Sequence, residues 1–219
     1  MHDVRSLLSN RYDCFLQLLL EHIEISVLAS VIATIIGGLL GVFIYEYKRL
    51  AAPVMVVVNF LYTIPSISML GLLLYVSGVG NTTAIIALVI YALLPMVRNT
   101  FTGLNQIDKA MCEAGIALGL TRIQRLWNIE IPLAMPTIMA GIRTMLVMTI
   151  ALTGIASFIG AGGLGVAIYR GITTNQSALT IAGSLLIALL AITVDALFSL
   201  GERVTRISPH MKRYTIIFV

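Results

Sequence analysis

Apolar residues form five long runs along this chain, separated by short polar segments. None of the runs alternates apolar and polar positions with the period of two expected of a strand, so each is predicted to be a helix. The predicted spans are residues 25–45, 53–76, 82–97, 136–158 and 178–200. Because each run is about as long as a membrane span requires, we expect an all-α polytopic membrane domain over residues 25–200. Residues 1–24 would precede it, and residues 201–219 would form a tail.

Composition supports the bilayer as the solvent of this chain. Of its 219 residues, 58% are hydrophobic and 11% are charged, against about 25% charged in a soluble domain. Residues 50–97 contain no Asp, Glu, Lys, Arg or His. The net charge of +4 does not indicate nucleic acid, since no basic cluster is interleaved with aromatic residues.

The positive residues predict the orientation of the chain. Of the fourteen Lys and Arg residues, ten flank the spans on the side of residues 99–135, three lie on the other side and Arg143 lies within a span. Positive residues mark the cytoplasmic side. The sequence therefore predicts that residues 99–135 and the C-terminal tail are cytoplasmic and that the N-terminus is outside. Cys14 and Cys112 would then lie on opposite sides of the membrane, so no disulfide is expected.

The first span carries small residues at every fourth position: Ala29, Ala33, Gly37 and Gly41. Such a stripe lets another helix approach closely. The partner is either another helix of this chain or a second subunit.

Two charges lie deep in apolar runs, Arg143 in the fourth and Asp195 in the fifth. Charges in the membrane are costly and are usually paired or functional. We expect a structural ion pair; the alternatives are that Arg143 snorkels to the inner surface while Asp195 meets water, or a role in transport.

The second span contains Pro65, which is predicted to kink it. The freed backbone and nearby hydroxyls would line a polar path, and aromatic faces are natural partners of a quaternary ammonium group. Simple packing between helices is the other interpretation of these aromatic residues. The candidate path residues are Tyr62, Thr63, Pro65, Ser66, Tyr91 and Phe158.

Residues 113–132 are predicted to form two short helices that meet at Gly119. Gly119 would end the first helix in a left-handed conformation, Thr121 would cap the second, and Pro132 would stop it before the fourth span. From the physical pattern alone, the pair is either a knob that docks on a partner protein or an amphipathic pair on the lipid surface.

The same segment resembles the EAA loop of ABC importer permeases. Glu113-Ala114-Gly115, Gly119, Ile129 and Ile131-Pro132 match its spacing, with Gly in place of the second Ala and Ile in place of Leu. The resemblance implies that the ATPase-coupling residues are Glu113, Ala114, Gly115, Gly119, Arg122, Arg125, Ile129 and Pro132.

The resemblance extends over about residues 20–205, to the permeases for glycine betaine, carnitine and choline. Residues 62–66, 141–143 and 160–165 carry it, although that family usually has Gln where this chain has Tyr62. It implies the type I ABC importer permease fold and a place in the bacterial cell membrane. It also implies partnership with P-loop ATPases, a second permease, identical or paralogous, and an external substrate-binding protein.

Chemistry on the chain itself is not expected. No P-loop, metal-ligand spacing or catalytic constellation is present, so ATP and Mg²⁺ are expected on the partner ATPase, with no cofactor here. We expect His2, His22 and His210 to lie outside the core. Gly160–Gly165 fits GxGxxG, but no strand is predicted before it, which argues against dinucleotide binding. Import of an amino acid such as methionine or of a betaine-like thiol-imidazole compound, or a scaffold that docks a non-ATPase partner, are the alternative functions.

Overall fold

The structure, a computed structural model, describes residues 12–207 of the chain, with side chains described as far as Leu200. Within this range it is helical, with no strand, as predicted. The helices are α1 (Tyr12–Glu46), α2 (Lys48–Thr63), α3 (Ser66–Ser77), α4 (Asn81–Asn105), α5 (Lys109–Ala117), α6 (Arg122–Arg125), α7 (Ile131–Ala156), α8 (Gly165–Thr173) and α9 (Ser177–Ile207). In the described range, four helical stretches are long and apolar enough to cross a membrane, or five if the bent pair α2–α3 counts as one span.

The first span begins earlier than predicted, because α1 already starts at Tyr12. Phe15 and His22 on the added turns are buried, so the expectation that every histidine lies outside the core is wrong for His22. Its ring Nε2 donates to the Ile150 carbonyl at 3.0 Å. Residues 1–11 and 208–219, which include His2, His210 and most of the predicted tail, lie outside the described residues.

The small-residue stripe of α1 packs against α4 of the same chain. Ala29 and Ala33 are fully buried. A Cβ atom on Gly37 would lie 2.8 Å from Met96 Cβ, and one on Gly41 would lie 2.6 Å from Thr100 Cβ. The intramolecular interpretation of the stripe is therefore confirmed.

The second predicted span is broken rather than kinked. Helices α2 and α3 meet at 97°, and Ile64 and Pro65 between them are extended, with ψ of 128° and 137°. An extended residue before proline is expected, because the proline ring excludes the helical region there. The Tyr91 hydroxyl donates to the Ile64 carbonyl that the break leaves free.

The prediction that Pro132 ends a separate loop helix is wrong. Residues 122–159 form one continuous helical stretch, in which Leu126–Glu130 is a π-helical turn. The Ile131 N–H bonds back five residues to Leu126. Pro132 has no backbone N–H to donate. Because the widened turn shifts the backbone hydrogen-bond pattern just before this position, the helix continues through the proline.

Residues 157–165 join α7 to α8 through a 3₁₀ turn and a tight glycine turn. The segment therefore has helices, not a strand, on both sides, and the dinucleotide interpretation is excluded. Since α1 has 35 residues, it is about 50 Å long at 1.5 Å per residue. It therefore extends from this glycine turn at one end of the bundle to the segment 109–130 at the other end.

Candidate coupling site and translocation path

The segment 109–130, called the knob below, consists of α5, α6, the π turn and the bend between them. Gly119 has φ +76°; its N–H bonds Ile116 at 2.9 Å, and the Leu120 N–H bonds Gly115 at 3.1 Å. This is the hydrogen-bond pattern of a Schellman cap. Thr121 and Gln124 form a capping box on α6. The predicted helix end at Gly119 and the predicted cap at Thr121 are confirmed.

A buried carboxylate, Glu130 at the end of the π turn, holds the turns of the knob together. Its side chain is fully buried, and its Oε1 accepts from Arg122 Nη1 and, at 2.8 Å, from Arg125 Nε. Arg122 also reaches the end of α1, where its Nε donates to Glu46 Oε2 at 3.0 Å. Both arginines therefore tie α6 to the π turn within the knob, and Arg122 alone also joins the knob to α1. We call Glu46, Arg122, Arg125 and Glu130 the clamp.

Two further side chains pack against the clamp. The Arg122 guanidinium lies 5.5 Å from the ring centroid of Tyr45, a cation–π distance. The Cys112 thiol of α5 lies 3.8 Å from Glu130 Oε1. Burial raises the pKa of the Cys112 thiol, and the negative charge of Glu130 raises it further. Cys112 therefore reports on the environment of Glu130.

The glycine at position 115 allows α5 to lie close to the π turn. A Cβ atom there would come within 2.9 Å of Ile129 Cδ1 and 3.3 Å of Arg125 Cγ. The departure from the alanine of the EAA pattern thus has a packing consequence: Ile129 occupies the space next to the glycine.

The opposite face of the knob is apolar and exposed. The exposed fractions are 58% for Ile116, 71% for Leu118, 71% for Ile123 and 64% for Trp127. We call these four residues the crown. They lie on both sides of the Gly119 bend, so two helices present them together. Several large apolar side chains exposed on one short segment are typical of a contact site.

The structure divides the predicted coupling residues into two groups. Glu113, Gly119 and Pro132 are exposed; Glu113 lies three residues before Ile116 on α5, and Gly119 follows Leu118 directly. The inward group, which is buried or half-buried, consists of Ala114, Gly115, Arg122, Arg125 and Ile129.

The candidate path residues are only partly brought together. The rings of Tyr62 and Tyr91 meet edge to face with centroids 6.1 Å apart, and the Tyr62 hydroxyl contacts Met148 Sδ at 3.3 Å. Phe158 instead pairs with Tyr169 of α8, at 5.5 Å. Pro65 and Ser66 form the break between α2 and α3, and the Thr63 hydroxyl donates to its own helix, to the Phe60 carbonyl.

Comparison with known proteins identifies the family. Residues 26–206 match the model of the binding-protein-dependent transport system inner membrane component. The chain belongs to this family.

Two relatives and one solved structure illustrate the similarity. The permease is 43% identical to a glycine betaine/carnitine/choline transport system permease protein of Bacillus subtilis, over 90% of this chain and 86% of the relative. It is 42% identical to a choline transport system permease protein of the same organism, over 89% and 86%. The MetNI methionine ABC transporter, solved in inward-facing conformations, superimposes with a TM-score of 0.81 at 20% identity, covering 87% of this chain and 95% of that one. That likeness shows the type I importer permease fold.

Arg143 and Asp195 form a bidentate ion pair between α7 and α9 of the permease. Arg143 Nε and Nη2 lie 2.6 Å and 2.7 Å from the two oxygens of Asp195. The pairing that the sequence suggested is present. Their side chains are 33% and 41% exposed, so the pair lies at the surface of the bundle, where mutual neutralisation makes two charges tolerable beside lipid.

Sequence reasoning missed much of the coupling site. Glu130 lies inside the EAA pattern, at a position the pattern does not specify, and Glu46 is separated from Arg122 by 76 residues. The crown had a weak signal, because Trp127 is the one tryptophan in the chain. No group of His, Cys, Asp or Glu within residues 12–207 could hold a metal ion.

Proposed function

We propose that this permease is the transmembrane subunit of an ATP-driven importer of quaternary ammonium solutes, and that its knob receives the movement of a partner ATPase. The observation that carries the proposal is the exposed apolar crown on a knob that continues into α7 and is joined to α1 by the ion pair of Arg122 and Glu46. An exposed apolar helix pair supports docking into a groove of another protein. The clamp supports transmission, because a loosely attached knob would yield under load.

The contacts of the clamp determine which helices would move if a partner displaced the crown. Glu130 lies on the helical stretch that continues without interruption into α7, and Arg122 joins the same site to α1 through Glu46. A displacement of the crown would therefore rotate α1 and α7 together, in a rigid-body switch between inward-open and outward-open states. ATP and Mg²⁺ would be bound by the partner ATPase and would supply the energy for its closure.

The orientation and assembly belong to the same proposal. The excess of Lys and Arg on the knob side supports a cytoplasmic position for the knob and an external position for the glycine turn of residues 160–165. A second permease, identical or paralogous, and an external binding protein would complete a bacterial importer. The names of the two Bacillus relatives support glycine betaine, carnitine or choline as the solute.

A co-purification experiment tests the docking assignment. Ile123→Asp adds a charge to the crown, and we expect the ATPase that co-purifies with the permease to fall at least tenfold. Ile172→Asp is the matched control: Ile172 is 59% exposed and lies on α8, beyond the other end of α7. Equal ATPase recovery with both variants, at equal permease abundance, would contradict the docking assignment. If a different protein co-purifies and is lost only with Ile123→Asp, the permease is a scaffold for that partner.

An uptake experiment tests coupling and substrate. In cells that depend on this importer, Glu113→Arg should leave the permease in the membrane but abolish uptake, because the outward carboxylate lies beside the crown. Radiolabelled glycine betaine, choline and methionine, together with a thiol-imidazole betaine, distinguish the substrate classes. Uptake of methionine alone would reject the quaternary ammonium assignment, and normal uptake by Glu113→Arg would reject the coupling role of that residue.

A further inference from the structure

A cavity of about 790 Å³ opens at the end of the bundle opposite the knob. It lies between the first turns of α1, the turn after α7 and α8. Its volume falls in the range of about 300–1,000 Å³ that is usual for small-molecule sites. Four of its lining residues combine two aromatic rings with one negative and one positive charge: Glu21, Phe158, Tyr169 and Arg170.

The aromatic pair offers open ring surface to the cavity. Phe158 and Tyr169 lie 5.5 Å apart at a 45° tilt, and they are 40% and 46% exposed. Two tilted rings at this distance form a corner rather than a flat wall. A trimethylammonium group has no N–H to donate and is held by such ring faces.

The Glu21 carboxylate lines the same cavity and is held in place by two hydrogen bonds. Its Oε2 accepts the Gly163 N–H at 3.1 Å, and its Oε1 accepts from Gln17 Nε2 at 3.2 Å. A Cβ atom on Gly162 would lie 2.5 Å from Oε2, so glycine is needed for the carboxylate to reach the turn. Glu21 thus supplies a fixed negative charge at the cavity wall.

The turn that carries Phe158 is itself held in place. The Gly162 N–H donates to Asn81 Oδ1 at 3.0 Å, and the Ser157 hydroxyl donates to the Gly162 carbonyl at 2.9 Å. The wall of the cavity is therefore formed before any ligand arrives, which lowers the cost of ordering it on binding.

We propose that this cavity is an outer binding site for a small zwitterion with a trimethylammonium group at one end and a carboxylate at the other. The ammonium group lies in the corner of Phe158 and Tyr169, with the Glu21 charge nearby, and the carboxylate pairs with the Arg170 guanidinium, a fork suited to it. This inference rests on the proposed import of quaternary ammonium solutes, and it names residues that receive the solute on the outer side.

The charge arrangement makes the site selective. Choline has the same cationic head but no carboxylate, so it uses the aromatic corner and gains nothing from Arg170. Loss of the ring of Phe158 should therefore weaken both ligands, whereas loss of the Arg170 charge should weaken only the zwitterion.

Equilibrium dialysis tests this directly. The probes are radiolabelled glycine betaine and choline, added to the intact permease–ATPase complex in lipid nanodiscs without the binding protein. We expect Phe158→Ala to raise the Kd for both probes about three- to tenfold. Arg170→Gln should raise the Kd for glycine betaine about tenfold or more and leave that for choline unchanged or lower. Tyr12→Ala, which removes a 62% exposed ring near the same end but outside the cavity, is the control and should change neither.

Phe158→Leu repeats the first test with apolar volume retained, in case Phe158→Ala fails to assemble. The site is rejected if the wild-type complex binds neither probe, if Arg170→Gln affects both probes equally, or if the variants match wild type. Uptake by the complete importer with its binding protein distinguishes failure of this site from failure of the proposed function. If glycine betaine is taken up but the variants bind it like wild type, this site alone is rejected. If no quaternary ammonium solute is taken up, the proposed function is rejected.

Discussion

Replacing Glu130 by Gln should loosen the contacts within the knob. The substitution keeps the shape of the side chain but removes its charge. Arg125 then loses its carboxylate partner, while Arg122 keeps Glu46. The knob should open more often, and α5 should then uncover the Cys112 thiol that lies 3.8 Å from Glu130.

The size of the effect follows from the burial of the carboxylate. Removing one partner of a buried ion pair costs about 3–5 kcal/mol. Here Arg122 is 36% exposed and retains Glu46, so we expect Glu130→Gln to destabilise the closed knob by about 2 kcal/mol. This free energy corresponds to roughly a 30-fold rise in the open population. Glu46→Gln removes a carboxylate that is 29% exposed, and a partly solvated pair contributes about 0–1 kcal/mol.

Native Cys112 provides the assay. With Cys14 replaced by Ser, Cys112 is the single remaining thiol, and its side chain is partly covered beside Glu130. Its rate of reaction with a maleimide follows the population in which α5 has moved away. We expect Glu130→Gln to raise this rate about 30-fold over the parent, and Glu46→Gln to raise it less than about fivefold, as the two free energies above require.

The thiol pKa has to be separated from opening. Because the negative charge of Glu130 raises the pKa of Cys112, Glu130→Gln lowers it, and part of any acceleration at neutral pH comes from a larger thiolate fraction. At a pH above both thiol pKa values the thiol is fully ionised in each protein, so the plateau rates compare opening alone. Equal plateau rates for Glu130→Gln and Glu46→Gln would refute the reasoning that the buried carboxylate holds the knob.

Two further predictions concern the bundle itself. Gly165→Ala should markedly lower the Tm of the detergent-solubilised permease, because its Cβ would lie 2.1 Å from the Gly154 carbonyl oxygen; Gly71→Ala, which meets open space, should leave the Tm unchanged or raise it, and equal effects would contradict the packing. Arg143→Asp and Asp195→Arg should each reduce the amount of folded permease in the membrane, measured by fluorescence-detected size-exclusion chromatography, while the double exchange should recover much of it. A double variant no better than the single ones would show that the ion pair is not what these residues contribute.

Local patterns of the sequence predicted the elements well. The five apolar runs correspond to helices, because in a membrane each run must satisfy its own backbone hydrogen bonds. The caps at Gly119 and Thr121 also followed from local chemistry. The error at Pro65 comes from a neighbour in space, because the Tyr91 hydroxyl satisfies the carbonyl at the break. The error at Pro132 has a local cause, because a π turn just before it carries the helix into the proline.

The contacts of the candidate sites depended on pairings that no local pattern contains. Glu46 and Arg122 are far apart in sequence, as are Glu21 and Gly163, and only the packing of α1 against the bundle brings each pair together. Phe158 was chosen for its ring chemistry, but its partner in the structure is Tyr169 rather than Tyr62. Sequence therefore identified residue types suited to the function, and the fold decided which of them meet.

The two candidate sites are joined by the same pair of helices. At one end, Glu46 of α1 meets Arg122 at the start of the stretch that becomes α7; at the other, Glu21 of α1 meets Gly163, just after α7 ends. Between them, Ser26 and Thr153 share a hydrogen bond of 3.0 Å across the two helices. In the proposed mechanism, a movement imposed at the crown therefore reaches the cavity at the opposite end without a hinge between α1 and α7. By contrast, α2 and α3 are separated by the break at Pro65. The same proposal lets them keep their place while α1 and α7 turn, and that relative movement would open or close the candidate path beside Tyr62.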